Sequence, residues 1–143
     1  MWISDEVTVS APLELVWSVQ TDLTKWGNWN PDISQLKLYG PVVPGTTFRW
    51  KAVGFTIRSE LQEVLLQKRL SWTGRMAGIR AIHTWSFEPH GEGVLVHTEE
   101  SFEGLLPRLF PVWMRRTLAR ALRQGLLRLK AECERRAGSG PRL

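Results

Sequence analysis

Six short runs of β-type residues lie between residues 33 and 104, joined only by tight connections, and a single long amphipathic helical stretch follows them. No other feature narrows the fold as much. The runs Ile33–Tyr39, Thr46–Ala52, Phe55–Leu66, Arg69–Arg75, Ile79–Glu88 and Val94–Glu103 are divided by Gly40-Pro41, Gly54, Gln67-Lys68, Gly78 and Pro89-His90-Gly91-Glu92-Gly93. Connections this short join antiparallel neighbours, so the runs predict a meander. The run 55–66 and the last two are long, and long twisted strands make a sheet curve. After Gly104 the period changes. Met114, Leu118, Ala121, Leu122, Gly125, Leu126, Leu129 and Cys133 recur at three- and four-residue spacing, which predicts one amphipathic helix of about twenty-five residues. Pro107 and Pro111 fall at its start, where a proline fits the first turn or bends the helix.

Upstream of the meander, residues 2–10 alternate towards Val7 and Val9 and predict a strand. Ser10 and Pro12 then suit a helix start, giving a short helix over 12–20. Thr21 or Asp22 can begin a second one ending near Trp26-Gly27, and Pro31 stops it. With 143 residues the chain fits one domain, read as 1–137, with 138–143 expected to form a disordered tail. A curved sheet has one apolar face, and only the C-terminal helix is long enough to cover it. The expected class is α+β: a curved antiparallel sheet wrapped around a long C-terminal helix, with two short helices after the first strand.

This arrangement resembles the helix-grip fold of the START and polyketide cyclase-like superfamily. The matching residues are Val9-Ser10-Ala11-Pro12 with Val16-Trp17, Trp26 with Trp29-Asn30-Pro31-Asp32, Pro44-Gly45, Arg69-Leu70-Ser71-Trp72, Trp85-Ser86-Phe87-Glu88-Pro89, and the long final helix. They run from about residue 3 to 136 and carry the fold rather than a substrate, since the superfamily holds binders, transporters and cyclases. The resemblance implies a cavity between sheet and helix, with Trp26, Trp29 and Trp113 near its mouth.

Several function classes are excluded or disfavoured by what the sequence lacks. Cys133 is the only cysteine, so there is no intramolecular disulfide and no multi-cysteine metal cluster. His83, His90 and His97 are spaced by seven, which on strands sends successive members to opposite faces and argues against a three-histidine metal site. No phosphate-binding Gly-rich loop with a lysine, nucleophile-elbow serine or His-Glu-x-x-His motif occurs. No cofactor is expected. The start of the chain has no signal-peptide pattern and no apolar run is long enough to span a bilayer, so the expected location is cytoplasmic. The net charge of +5 is uneven, with ten Lys/Arg and two Asp/Glu in residues 105–143. That points to the C-terminal helix for any peripheral contact with an anionic membrane. Aromatic residues expected to face inward argue against nucleic acid.

Strand parity gives the expected cavity lining. Ile79, Ala81, His83, Trp85 and Phe87 form the more apolar face of their run, as do Val94, Val96, Thr98, Glu100 and Phe102. The same test turns Phe48 and Trp50, then Ile57, Ser59 and Leu61, then Leu70 and Trp72, inward. Four polar groups therefore fall among apolar neighbours: Ser59, His83, Thr98 and Glu100. If the 88–94 hairpin keeps both inward sets on one face, a residue sum of 183 puts His83 opposite Glu100; a bulge in its turn would bring in His97 and Glu99 instead of Thr98 and Glu100. A carboxylate beside the imidazole raises its pKa unless desolvation outweighs the pair. From the helix, Met114, Leu118 and Leu122 complete the lining, with Gly125 beside them, and Trp29 joins from the short-helix region.

The first functional expectation is binding of a hydrophobic or amphipathic molecule of lipid, quinone or polyketide type in this aromatic-lined cavity. The alternative is a cyclase, dehydratase or hydrolase with His83 and Glu100 as acid and base. Without a compelling nucleophile, binding ranks ahead of catalysis. A third expectation is a lipid carrier that touches anionic membrane through its basic helix.

Overall fold

Turn chemistry and β-branched and aromatic residues together produce a seven-stranded antiparallel sheet in the computed structural model, which describes residues 1–52 and 54–138. The strands are β1 (Trp2–Val9), β2 (Ile33–Leu38), β3 (Thr47–Ala52), β4 (Phe55–Leu65), β5 (Arg69–Met76), β6 (Ile79–His90) and β7 (Gly93–Glu103). Their spatial order is β1-β7-β6-β5-β4-β3-β2. The meander is thus as expected, and β1 closes beside the last strand, with Val9 opposite Val94 and Ile3 opposite Glu100. Bulges interrupt the register between Ser34 and Lys37 and between Leu61 and Glu63, where they add local twist.

The helices are α1 (Leu13–Thr21), α2 (Trp26–Trp29), α3 (Leu105–Leu109) and α4 (Pro111–Gly138). The second short helix of the sequence reading is a 3₁₀ turn, Leu23–Lys25, running into the single turn α2. The C-terminal helical stretch divides into two at Phe110, whose φ of −130° and ψ of 61° are not helical. The residue before a proline is driven out of the α region, and Pro111 then takes the first position of the new helix. That helix reaches Gly138, one residue past the expected domain end. The rest of the expected tail, residues 139–143, lies outside the described residues.

The concave face of the sheet packs on α4 and α1, and its core forms two clusters. The larger contains Val16, Trp26, Phe48, Trp72, Trp85, Val94, Leu126 and Leu129 among others, while the smaller joins Ile3, Ile79, Phe102, Met114 and Leu122. Polar clamps hold α4 in place. Arg128 donates to Asn30 Oδ1 at 2.7 Å and Asp32 Oδ2 at 2.6 Å, Lys130 to the Thr8 carbonyl at 2.7 Å, and the Ser10 N–H to Glu134 Oε2 at 2.8 Å. At the other end Gly104 has a φ of +127°, and a Cβ there would collide with the Gly78 carbonyl. Only glycine fits this turn, which delivers the Leu106 N–H to the same carbonyl at 3.1 Å.

Gly125 lies on the inner side of α4, where an added Cβ would stand 3.8 Å from Trp85 Cη2. That is ordinary contact. Gly125→Ala is therefore expected to gain about 0.5–1 kcal/mol from helix propensity without displacing Trp85, read as a higher urea midpoint at unchanged m-value. A lower midpoint would mean that the helix and Trp85 have no room for a methyl group.

Candidate functional site

Between the two apolar clusters runs a belt of polar side chains, placed by the register of β6, β7 and β1. His83 stands opposite Glu100, Trp85 opposite Thr98, and Thr98 opposite Asp5. The 88–94 hairpin carries no shift, so the even-numbered set of β7 faces inward: Val94, Val96 and Thr98 are fully buried and Phe102 nearly so. His97 faces out instead, half-exposed and within 3.5 Å of Glu6 and 3.8 Å of Glu99.

His83 does not bond to Glu100. Its Nε2 lies 2.8 Å from Thr98 Oγ1, and the Thr98 hydroxyl is placed to donate to the Thr84 carbonyl at 3.3 Å. In that arrangement Nε2–H donates to Thr98 and Nδ1 is left as an acceptor. The imidazole is also sandwiched by tryptophans, with ring centroids 4.9 Å from Trp72 and 5.4 Å from Trp85. Burial then decides the charge states. It pushes the His83 pKa down to about 3 and the Glu100 pKa up to about 7. The expected rise in the histidine pKa is therefore reversed: without a hydrogen bond to the carboxylate, desolvation wins. At neutral pH the imidazole is uncharged and the carboxyl is poised between its two forms.

The belt has hydrogen-bonding capacity to spare. Trp85 Nε1–H is fully buried without an acceptor, and among the described residues no side chain or backbone group bonds to the Glu100 carboxyl. Yet both His83 and Glu100 keep some accessible surface, so they are not sealed off from an approaching group. A small molecule there would meet an indole N–H donor, a carboxyl able to donate or accept, and a neutral imidazole.

The other expected lining residues fall on both sides of the belt. Met114, Leu118 and Leu122 face the sheet in the smaller cluster. Phe48, Trp50 and Trp72 are buried in the larger one, where they pack around Trp26 with centroid distances of 5.0 to 6.0 Å to it. Ser59 accepts from Trp50 Nε1 at 3.0 Å, so its hydroxyl is already engaged. These rings fill one end of the concavity. Trp26, expected at the mouth, is 2% exposed and donates Nε1–H to the Gln20 carbonyl at 2.9 Å. Trp29 is half-buried against the larger cluster, and Trp113 is exposed.

Asp5 was legible as a belt member only through the parity of β1, where it shares a face with Ile3, Val7 and Val9. Arg123 of α4 bonds to it at 3.4 Å and so forms a rim over the belt. Three surface pits, of about 510, 430 and 410 Å³, include neither His83 nor Glu100 in their walls.

A concave sheet gripped by one long helix, with unsatisfied polar groups between apolar clusters, defines a helix-grip fold. The chain belongs to the polyketide cyclase / dehydrase and lipid transport family, whose model matches residues 3–134. Among solved structures it is similar to the hypothetical protein jhp0584 from Helicobacter pylori, with 20% identity, a TM-score of 0.83, and coverage of 93% of this chain and 88% of that one. A START superfamily protein from Mycobacterium smegmatis gives 18%, 0.80, 94% and 97%. The di-domain ARO/CYC StfQ of the steffimycin biosynthetic pathway gives 19%, 0.79 and 96%, and this chain spans 52% of its length. At these identities the likeness carries the fold alone. No curated protein is similar in sequence.

Proposed function

We propose that this protein binds a hydrophobic or amphipathic molecule of lipid, quinone or polyketide type, with its polar group against the His83–Thr98–Glu100 belt and its apolar body along α4. The observation that carries this is the unpartnered, fully buried Trp85 N–H on the same inner face as a Glu100 carboxyl that nothing bonds; among the described residues the one other buried unpartnered side-chain atom is Gln20 Oε1. Leaving such a group buried and unpaired costs about 1–3 kcal/mol, which a ligand carbonyl or hydroxyl would offset. Native mass spectrometry of freshly purified protein tests it. A retained small molecule is expected, lost or weakened about tenfold in His83→Phe, which keeps the ring shape but deletes the polar nitrogens. Gly125→Leu, intruding on Trp85, should lower uptake of a hydrophobic probe while the protein stays folded. Full ligand affinity in both folded variants would sink the proposal.

A catalytic reading has one specific support. A carboxyl with a pKa near 7 in a desolvated site suits general acid–base work at neutral pH. In that reading Glu100 moves the proton and His83 orients the substrate, because an imidazole held neutral down to about pH 3 is a poor proton donor.

Delivery to an anionic membrane is supported by how the cations of the C-terminal region divide. Arg123, Arg128, Lys130, Arg135 and Arg136 are engaged by Asp5, Asp32, Glu134 and Glu132. Arg108, Arg115, Arg116 and Arg120 have no carboxylate partner among the described residues. They surround the α3–α4 elbow, where Leu105, Leu109, Phe110, Val112 and Trp113 are each more than half exposed. Unpaired arginines around exposed apolar side chains suit an acidic bilayer surface. Trp113→Ala with Phe110→Ala should weaken sedimentation with anionic vesicles about tenfold, and equal binding to neutral vesicles would remove the idea.

A further inference from the structure

The register of the sheet aligns five cations in one row across its convex face. Lys37 pairs with Arg49, Arg49 with Arg58, Arg58 with Arg75, and Arg75 with Arg80. All five are exposed. Like charges set directly opposite one another destabilise a sheet, so the row carries a folding cost that nothing in the fold itself explains.

The two ends of the row are engaged. Arg80 is paired with Glu103 at 3.2 Å, and the Lys37 ammonium lies over the Tyr39 ring at 5.6 Å. The three central guanidiniums of Arg49, Arg58 and Arg75 have no ion pair or side-chain hydrogen bond among the described residues. They line one pit of about 510 Å³. Thr47, Thr73 and the Tyr39 ring border it. One carboxylate, Glu60, also stands in the wall, but it accepts from Gln62 Nε2 at 3.0 Å rather than from an arginine.

The geometry points to an anion site on this face, outside the concave ligand site, that takes a compact oligophosphate. Strands are about 4.8 Å apart, so the stretch from Arg49 to Arg75, free of ion pairs and holding three cations to the one carboxylate of Glu60, is about 10 Å long. That matches a chain of a few phosphates. A nucleic-acid strand would draw on the whole row and on exposed stacking rings, whereas both ends are occupied and only Tyr39 is at hand. A bilayer would be met by apolar side chains, and those are gathered at the α3–α4 elbow instead. Guanidinium forks bind phosphate oxygens bidentately, and the flanking threonine hydroxyls add donors.

Inorganic tripolyphosphate is the probe, measured by calorimetry at low salt against orthophosphate, a short oligouridylate and anionic vesicles. Tripolyphosphate should bind at least about tenfold more tightly than orthophosphate. Arg58→Gln should weaken it about tenfold or more, Arg58→Lys less. Arg69→Gln, which removes a cation paired to Glu63 at 3.2 Å elsewhere on the sheet, should change it by less than about twofold. Without ligand, Arg58→Gln should melt higher than the unsubstituted protein at low salt, and the difference should shrink as salt screens the row. The inference is overturned if orthophosphate binds as tightly, if Arg58→Gln and Arg69→Gln lose equally, or if oligouridylate or vesicles bind more tightly than tripolyphosphate.

Discussion

Trp26→Ala is expected to cost about 3–5 kcal/mol, the largest single loss in the molecule. The ring is 2% exposed and sits at the centre of an aromatic group, in edge contact with Phe48 and Trp50 and tilted against Trp72 at 5.0 Å. Its truncation removes those contacts and the donor to the Gln20 carbonyl, and the surrounding rings are held by β3 and β5 and collapse only in part. Urea unfolding reads the cost. Trp26→Phe, which keeps most of the ring, should lose less than half as much, and a loss below about 1.5 kcal/mol in Trp26→Ala would show that these rings are loosely packed. The same variant addresses function, because an apolar void left at that end should take up a small aromatic probe that the unsubstituted protein excludes.

Most of the fold was legible because the signals were local. Gly54, Gln67-Lys68, Gly78 and the 89–93 segment mark four turns within a residue or two of where they fall, and each holds a residue of positive φ: 83° at Gly54, 58° at Gln67, 77° at Gly78 and 59° at Gly91. Parity then oriented β6 and β7 correctly, since an unshifted hairpin preserves it from His83 to Glu100. The break at Phe110 was visible as Pro111, and the periodic apolar positions of α4 begin just beyond it, at Met114.

What stayed hidden depends on pairs far apart in sequence. The occupation of the concavity by Trp26 follows from how the turn after α1 folds back under β3 and β5, which no pattern within the short-helix segment encodes. The arginine row is the sharper case. Residues 1–104 hold more acidic than basic side chains, and the charge excess drew attention to the C-terminal helix. Yet five of the cations in that stretch are brought into line by four strand pairings, while most of the second half of α4 is neutralised by partners from β1, the α2–β2 junction and its own turns. Charge counting along a chain cannot see either effect. The hydrogen bond of His83 to Thr98 rather than Glu100 was hidden for a related reason: register fixes which residues are neighbours, but side-chain reach and burial decide which of them bond.

Glu100→Gln is expected to stabilise the protein at pH 8 and to leave it unchanged near pH 4. The Glu100 pKa is raised from 4.5 to about 7 by burial, so the folded state holds its proton where the unfolded chain has released it. Stability from this group is present below pH 4.5 and is lost as pH rises to about 7, by at most about 3.5 kcal/mol at roughly 1.4 kcal/mol per pKa unit. His83 acts in the opposite direction. Its pKa is lowered from 6.5 to about 3, so its contribution is present above pH 6.5 and is lost as pH falls to about 3. Between pH 4.5 and 6.5 the two slopes cancel, which predicts a level stretch there, an acid limb belonging to His83 and a short fall towards pH 7 belonging to Glu100. In Glu100→Gln the alkaline penalty disappears and stability keeps rising to pH 6.5; in His83→Phe the acid limb disappears. Urea midpoints at half-unit pH steps for both variants separate these limbs. A charged His83–Glu100 pair would give the reverse pattern, with Glu100→Gln destabilised throughout pH 5 to 7, and that outcome would overturn the neutral belt on which the ligand-binding proposal rests.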